Sequence, residues 1–119
     1  MKGFKICRID HKGRLVSCFN DGRDIIYKKN KWTKRPEDCG PLAVFDTLDH
    51  ALKFLEFVHH IFSPDRVIFE CKYKPSKDNL LWFTSWFTNS KIIKITKVPE
   101  GTIFADEVKI TKMCRYVQP

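Results

Sequence analysis

Between residues 27 and 35 the chain reads Tyr-Lys-Lys-Asn-Lys-Trp-Thr-Lys-Arg. Lysine and arginine neutralise phosphate charge, and a Trp or Tyr ring offers a flat face on which a base can stack. Tyr27, Lys28, Lys29, Lys31, Trp32, Lys34 and Arg35 therefore form a candidate site for a nucleotide or a single strand, with Arg23 just ahead of them. Arg8 and Arg14 extend that surface if the opening strands present them alongside it. Trp32 has a second reading, as a plug that holds its loop against the core. A further aromatic group, Trp82, Phe83, Trp86 and Phe87 with Asn89, suits a pocket wall, the centre of a dimer interface or ordinary core. A homodimer with ligand at its seam would use both groups.

The charge distribution supports that emphasis. Residues 1–35 hold eleven Lys/Arg against three Asp/Glu, whereas the other 84 residues hold eleven of each, so the whole net charge of +8 belongs to the N-terminal third. Such asymmetry marks a surface for phosphates, nucleic acid or an acidic protein, or else a basic face kept for solubility.

Signatures of catalysis are sparse. There is no P-loop, dinucleotide fingerprint, G-x-S-x-G or H-E-x-x-H. His59 and His60 are neighbours on a predicted helix, about 100° apart, and cannot act as an i, i+4 metal pair. Asp46 and His50 could pair, but a capping Asp and an exposed His account for them as well. The balance is against an enzyme, with no cofactor and no metal expected. Five scattered cysteines without C-x-x-C argue against a zinc site and for reduced thiols, with Cys7, Cys18 and Cys71 as small buried groups. The N-terminus lacks the apolar run of a secretory signal, and no stretch approaches the roughly 20 apolar residues of a membrane span, which points to the cytoplasm.

The elements that must position these residues are legible in outline. Phe4–Ile9, Leu15–Phe19 and Asp24–Lys29 read as an antiparallel meander turning at Asp10–Gly13 and Asn20–Gly22. Alternation puts Phe4, Ile6 and Arg8 opposite Lys5, Cys7 and Ile9, so the sheet is half buried at its start. Residues 28–39 read as a loop. A short buried strand up to Phe45 leads to Asp46-Thr47, either of which can cap a helix running to about Phe62 and ending before Pro64. Leu48, Ala51, Leu52, Leu55, Val58 and Phe62 share its apolar face, and Asp49, Lys53, Glu56 and His60 line the other. Strands follow at 66–73 and 91–97, then a turn at Val98–Gly101, then strands at 102–104 and 107–113; residues 80–87 lean towards strand. The sum is a single α+β domain over 1–119, one main helix packed on a curved, mainly antiparallel sheet.

The segments Gly40-Pro41-Leu42-Ala43-Val44-Phe45-Asp46-Thr47-Leu48-Asp49-His50-Ala51 and Val98-Pro99-Glu100-Gly101-Thr102-Ile103-Phe104-Ala105-Asp106-Glu107-Val108, with the strand 67–73 between them, resemble a group of small accessory proteins of bacterial viruses and prophages. The resemblance covers about residues 24 to 112 in pattern. It implies a compact α+β fold and a virus-encoded role in the host cytoplasm, and it carries over no catalytic residue. Phage proteins of this size include sponges for the nucleotide signals of bacterial immunity, such as anti-Thoeris and anti-CBASS proteins, an analogy of class rather than of residues. The expected function is thus a non-enzymatic anti-defence protein that binds an anionic nucleotide. The alternatives are a nucleic-acid binder using the basic N-terminal third and an inhibitor of a host defence protein.

Overall fold

The computed structural model describes residues 1–17, 25–37, 39–59, 65–78, 81–84, 92–95 and 98–117. In chain order the elements are β1 (Lys2–Ile9), β2 (Leu15–Ser17), β3 (Ile26–Tyr27), β4 (Trp32–Lys34), β5 (Leu42–Phe45), α1 (Leu48–His59), β6 (Arg66–Pro75), β7 (Leu81–Thr84), β8 (Ile92–Ile95) and β9 (Thr102–Val117). Every strand pairing among the described residues is antiparallel. An antiparallel sheet with one described helix is thus the architecture, and strand far outweighs the single 12-residue helix.

Seven strands form one sheet that closes on itself. Along one edge β1 pairs with β6 from Lys2↔Lys72 to Arg8↔Arg66. Its other edge meets β5 at Phe4↔Phe45 and β2 from Cys7↔Ser17 to Ile9↔Leu15. The long strand β9 pairs with β6 on one side, and on the other with β5 (Leu42↔Ala105 to Phe45↔Thr102) and β4 (Trp32↔Lys109 to Lys34↔Glu107). The circuit β1–β6–β9–β5 returns to β1, with β2 and β3 extending it past β1. Register shifts in β6–β9 at Ile68/Phe69, Phe69/Cys71 and Lys74/Pro75 supply the local bends that such closure needs. The closure is tight at Gly3, where a Cβ would stand 2.9 Å from the Phe45 carbonyl oxygen and 3.1 Å from the Tyr73 ring. The separate hairpin β7–β8 pairs Leu81↔Ile95 to Thr84↔Ile92.

Closure divides the apolar residues into two cores. Inside the closed sheet lie Cys7, Tyr27, Leu42, Val44, Val67, Phe69, Cys71, Tyr73, Val108 and Ile110. Outside it, α1 lays Ala51 and Leu55 on Ile6, Phe45 and Ile68, with Leu48, Leu52 and Phe54 at the margin. Phe45 and Phe54 meet with ring centroids 5.6 Å apart. The helix begins as its sequence asks: the Thr47 hydroxyl accepts the His50 N–H (3.1 Å), and Asp49 occupies the first turn, where a negative charge suits the helix dipole. Asp49, Lys53 and Glu56 face solvent.

Several expectations change. Residues 28–39 are not all loop, because Trp32–Lys34 joins β9 as β4; its outward side chains are the ones that made the stretch read as irregular. The two strands expected at 102–104 and 107–113 are one 16-residue strand. The start of β1 is buried on both faces, since closure covers the Lys5 side and α1 covers the Ile6 side. Lys5 itself is only 1% exposed; its Nζ donates to the Ala43 carbonyl at 2.6 Å and lies 5.1 Å from the Tyr27 ring centroid. The turn at Asp10–Gly13 stands as read. Desolvation pushes the Asp10 carboxyl up, but the Arg14 N–H, the Arg14 guanidinium and the Lys12 N–H outweigh it and hold its pKa at about 2. The helix is described from Leu48 to His59, and the expected extension over 60–62 lies outside the described residues, as do Asn20–Gly22 and Cys18.

Leu55→Ala should cost about 2–5 kcal/mol in urea unfolding, because it opens a cavity under α1, while Lys53→Ala on the solvent face should stay within about 0.5 kcal/mol. Equal effects would mean that α1 does not pack as described.

Candidate functional site

Strands β4, β9, β6 and β1 lie side by side, and their registers line up one outward row after another. Trp32 pairs with Lys109, Lys109 with Lys72, and Lys72 with Lys2. One step along, Lys34 pairs with Glu107 and Glu107 with Lys74. Val108, Ile110, Cys71 and Tyr73 take the inward positions between them, so alternation forces the lysines out. The result is an open, basic face around one tryptophan. Trp32 is 42% exposed, with Lys74 Nζ 5.0 Å and Lys109 Nζ 6.0 Å from its ring centroid. Two acids temper it: Glu107 pairs with Lys74 and Glu70 with Lys2, both at 3.1 Å.

The candidate loop residues divide around this face. Lys28, Lys29 and Lys31 are exposed on a turn in which Lys31 N–H donates to Lys28 O (3.1 Å) and Asn30 adopts φ 63°, a conformation that Asn tolerates. Asn30 N–H donates to Ile110 O at 2.8 Å, which ties the turn to β9 beside Trp32. Tyr27, by contrast, is 2% exposed inside the closed sheet, so it serves the core rather than a ligand surface. Arg8 lies six residues along β1 from Lys2, about 20 Å away, and gives its Nε to the Ser17 carbonyl; Arg14 is held by Asp10. Neither extends the Trp32 face. Arg23, Trp86 and Asn89 lie outside the described residues, and Trp82 falls on β7 opposite Lys94. Lys2, Lys72, Lys74 and Lys109 were not among the sequence candidates; the alternation in β6 and β9 already set the last three on polar faces, whereas Lys2 opens β1.

Beside Lys34 the chain forms an open cavity of about 440 Å³, lined by the bases Lys34, Arg35 and Lys77 and the acids Asp78, Asp106 and Glu107. Pro75 and Ser76 complete its wall. Arg35 Nη1 donates to Asp78 Oδ2 (2.6 Å), Asp106 Oδ1 (3.3 Å) and Ser76 Oγ (3.3 Å), while the Ser76 hydroxyl also accepts the Asp78 N–H (3.1 Å). The Arg35 N–H bonds to Asp106 O and the Ser76 N–H to Phe104 O, both at 2.9 Å, so the cavity stands on paired backbone.

Of the groups able to do acid–base or nucleophilic chemistry, Asp46, His50 and Cys71 are engaged in the fold. His50 Nδ1 meets Asp46 Oδ1 at 2.6 Å, and Nε2 lies 3.6 Å from Glu100 Oε1. The Asp46 hydrogen bond raises the His50 pKa; desolvation opposes it, and the charges of Asp46 and Glu100 outweigh Lys53. The same bond lowers the Asp46 pKa. Gly101, at φ 84°, packs against this pair where a Cβ would strike the imidazole, and its carbonyl accepts the Asp46 N–H at 2.9 Å. The arrangement ties the start of α1 to the turn before β9. Burial pushes the Cys71 thiol up to about 11, against the pull of Lys5, which leaves it protonated and inert. Among the described residues no group of three His, Cys, Asp or Glu could hold a metal ion, and no helix is long and apolar enough to cross a membrane.

No family model, no curated protein and no solved structure matches the chain.

The His50 clasp has a pH signature. A raised histidine contributes stability that is fully present below its unfolded value of about 6.5 and is lost as pH rises through the folded value. Asp46, being lowered, contributes above about 4 and loses its part as pH falls through its folded value. Wild-type melting temperature should therefore decline above about pH 6.5 relative to His50→Gln, and a constant difference between the two across pH 5–9 would refute the clasp.

Proposed function

We propose that the chain is a non-enzymatic, cytoplasmic binding protein whose ligand is a single-stranded nucleic acid lying across the Trp32 face. The observation that carries this is the half-exposed Trp32 ring between Lys74 and Lys109 on an open surface that also presents Lys72, Lys2 and Lys34. A base stacks on the ring while the lysines neutralise the phosphates on either side, a combination that tolerates any base and takes a strand in extension. An accessory role of the phage type, directed at host nucleic acid, is consistent with it. Sequestration of a small nucleotide signal asks instead for a recess with a surplus of cations around an aromatic ring. Among the described residues the recess at Arg35 carries as many acids as bases and no aromatic, which favours the polymer.

Fluorescence anisotropy with a labelled oligothymidine tests the reading. Trp32→Ala should weaken binding about 5- to 150-fold with the fold intact by circular dichroism. Lys109→Ala should lower the slope of log affinity against log salt by about 0.7, the share of one phosphate contact on a single strand. Unchanged affinity in both variants would remove this face from the site.

A further inference from the structure

The lysines of the Trp32 face are not equivalent. Lys74 is ion-paired with Glu107 and Lys2 with Glu70, whereas among the described residues no carboxylate pairs with Lys72 or Lys109. These two stand directly opposite each other on β6 and β9, and Lys109 stands opposite Trp32 on β4. Residues so placed lie about 5 Å apart at Cβ, and like charges there are destabilising. The inward turn of Cys71, Tyr73, Val108 and Ile110 sends both ammonium groups to the same outer surface. An uncompensated pair of cations next to a half-exposed indole is a seat for one anionic group.

We propose that Lys72 and Lys109 together hold the phosphate adjoining the base stacked on Trp32, so that the nucleic acid crosses the sheet at right angles to β9, an inference that rests on the single-strand reading above. The charges on the face favour this direction over the other. Across the strands the row runs Trp32, Lys109, Lys72, Lys2, with no acid in it. Paired strands lie about 4.8 Å apart, which puts the Lys72 backbone about 10 Å from that of Trp32. Along the strands an acid comes two residues away, Glu107 from Lys109 on β9 and Glu70 from Lys72 on β6. A phosphate backbone laid along either strand passes a carboxylate, whereas one laid across them passes cations. The surplus ends at Lys72, because Glu70 already shares the charge of Lys2. A phosphate between the two ammonium groups also removes their mutual repulsion, so the pair attracts it as a unit.

The test measures labelled oligothymidine binding by Lys72→Gln, Lys109→Gln, the double variant and Lys34→Gln, each of which removes charge and keeps most of the side chain. Lys72→Gln should weaken binding about fivefold or more at low salt, and by more than Lys34→Gln, which lies along β4 from Trp32. Because one phosphate is shared, the double variant should lose less than the product of the two single losses. Its slope of log affinity against log salt should fall by about 0.7, one phosphate, and not by about 1.4. Without ligand, Lys72→Gln should melt above wild type at low salt, with the gain fading as salt screens the pair. A structural role alone would lower the melting temperature instead. A melting temperature below wild type, additive losses with the larger slope change, or a greater loss in Lys34→Gln each overturns the proposal. Any of these, with Trp32→Ala still weakening binding, leaves the platform standing. No binding of oligothymidine by the wild type overturns both readings together.

Discussion

Strand β9 is hydrogen-bonded along both of its edges, and this double pairing is the constraint on which the molecule depends. With β6 on one side and β5 and β4 on the other, its backbone polar groups are satisfied by neighbours that come from distant parts of the chain. The same strand thereby connects the N-terminal third, through β4, to the strand that follows the helix. Without β5 bridging β9 to β1 at Phe45, the sheet would stay open and the inner row from Cys7 to Ile110 would face water.

Closure also dictates the chemistry of the surface. An inner row of Val108, Ile110, Cys71 and Tyr73 leaves the alternate positions of β6 and β9 no place but the outside, and those positions include Lys72, Lys74 and Lys109 with Glu70 and Glu107 among them. Trp32 is added to them by pairing rather than by proximity in sequence, opposite Lys109 across β4–β9. The basic face is therefore a consequence of how the core is made, and its ions sit on paired strands instead of loops. A rigid base of this kind limits the ordering that a ligand must impose on the protein. The buried Lys5 is the exception to this sorting, accommodated by the Ala43 carbonyl and the Tyr27 ring inside the closed sheet.

Much of this was legible in the residues. The alternation in 67–73 gave the strand and its inward face, Asp46-Thr47 gave the start of α1, and the Leu48, Ala51, Leu52 and Leu55 spacing gave the face it buries. Trp32, Lys34 and Arg35 were candidates from their types alone. What misled was locality. Tyr27 stood next to Lys28 in the sequence but enters the core, because β3 pairs with β2 and turns alternate side chains inward. The charge tally pointed at residues 1–35, and balanced signs in the remainder hid Lys72, Lys74 and Lys109, which share their face with Glu70 and Glu107.

The sequence by itself determined the periodicities, the turns at Gly13 and Gly101, the helix cap and the stock of basic and aromatic groups, since each of these follows from short-range sterics and hydrogen bonding. Only the tertiary structure decided that the sheet closes, that β4 exists, and that Trp32 meets lysines 42 and 77 positions further along the chain. Those are pairings between remote segments, selected by how well two strands and their side chains fit once both are present, and no local pattern contains them.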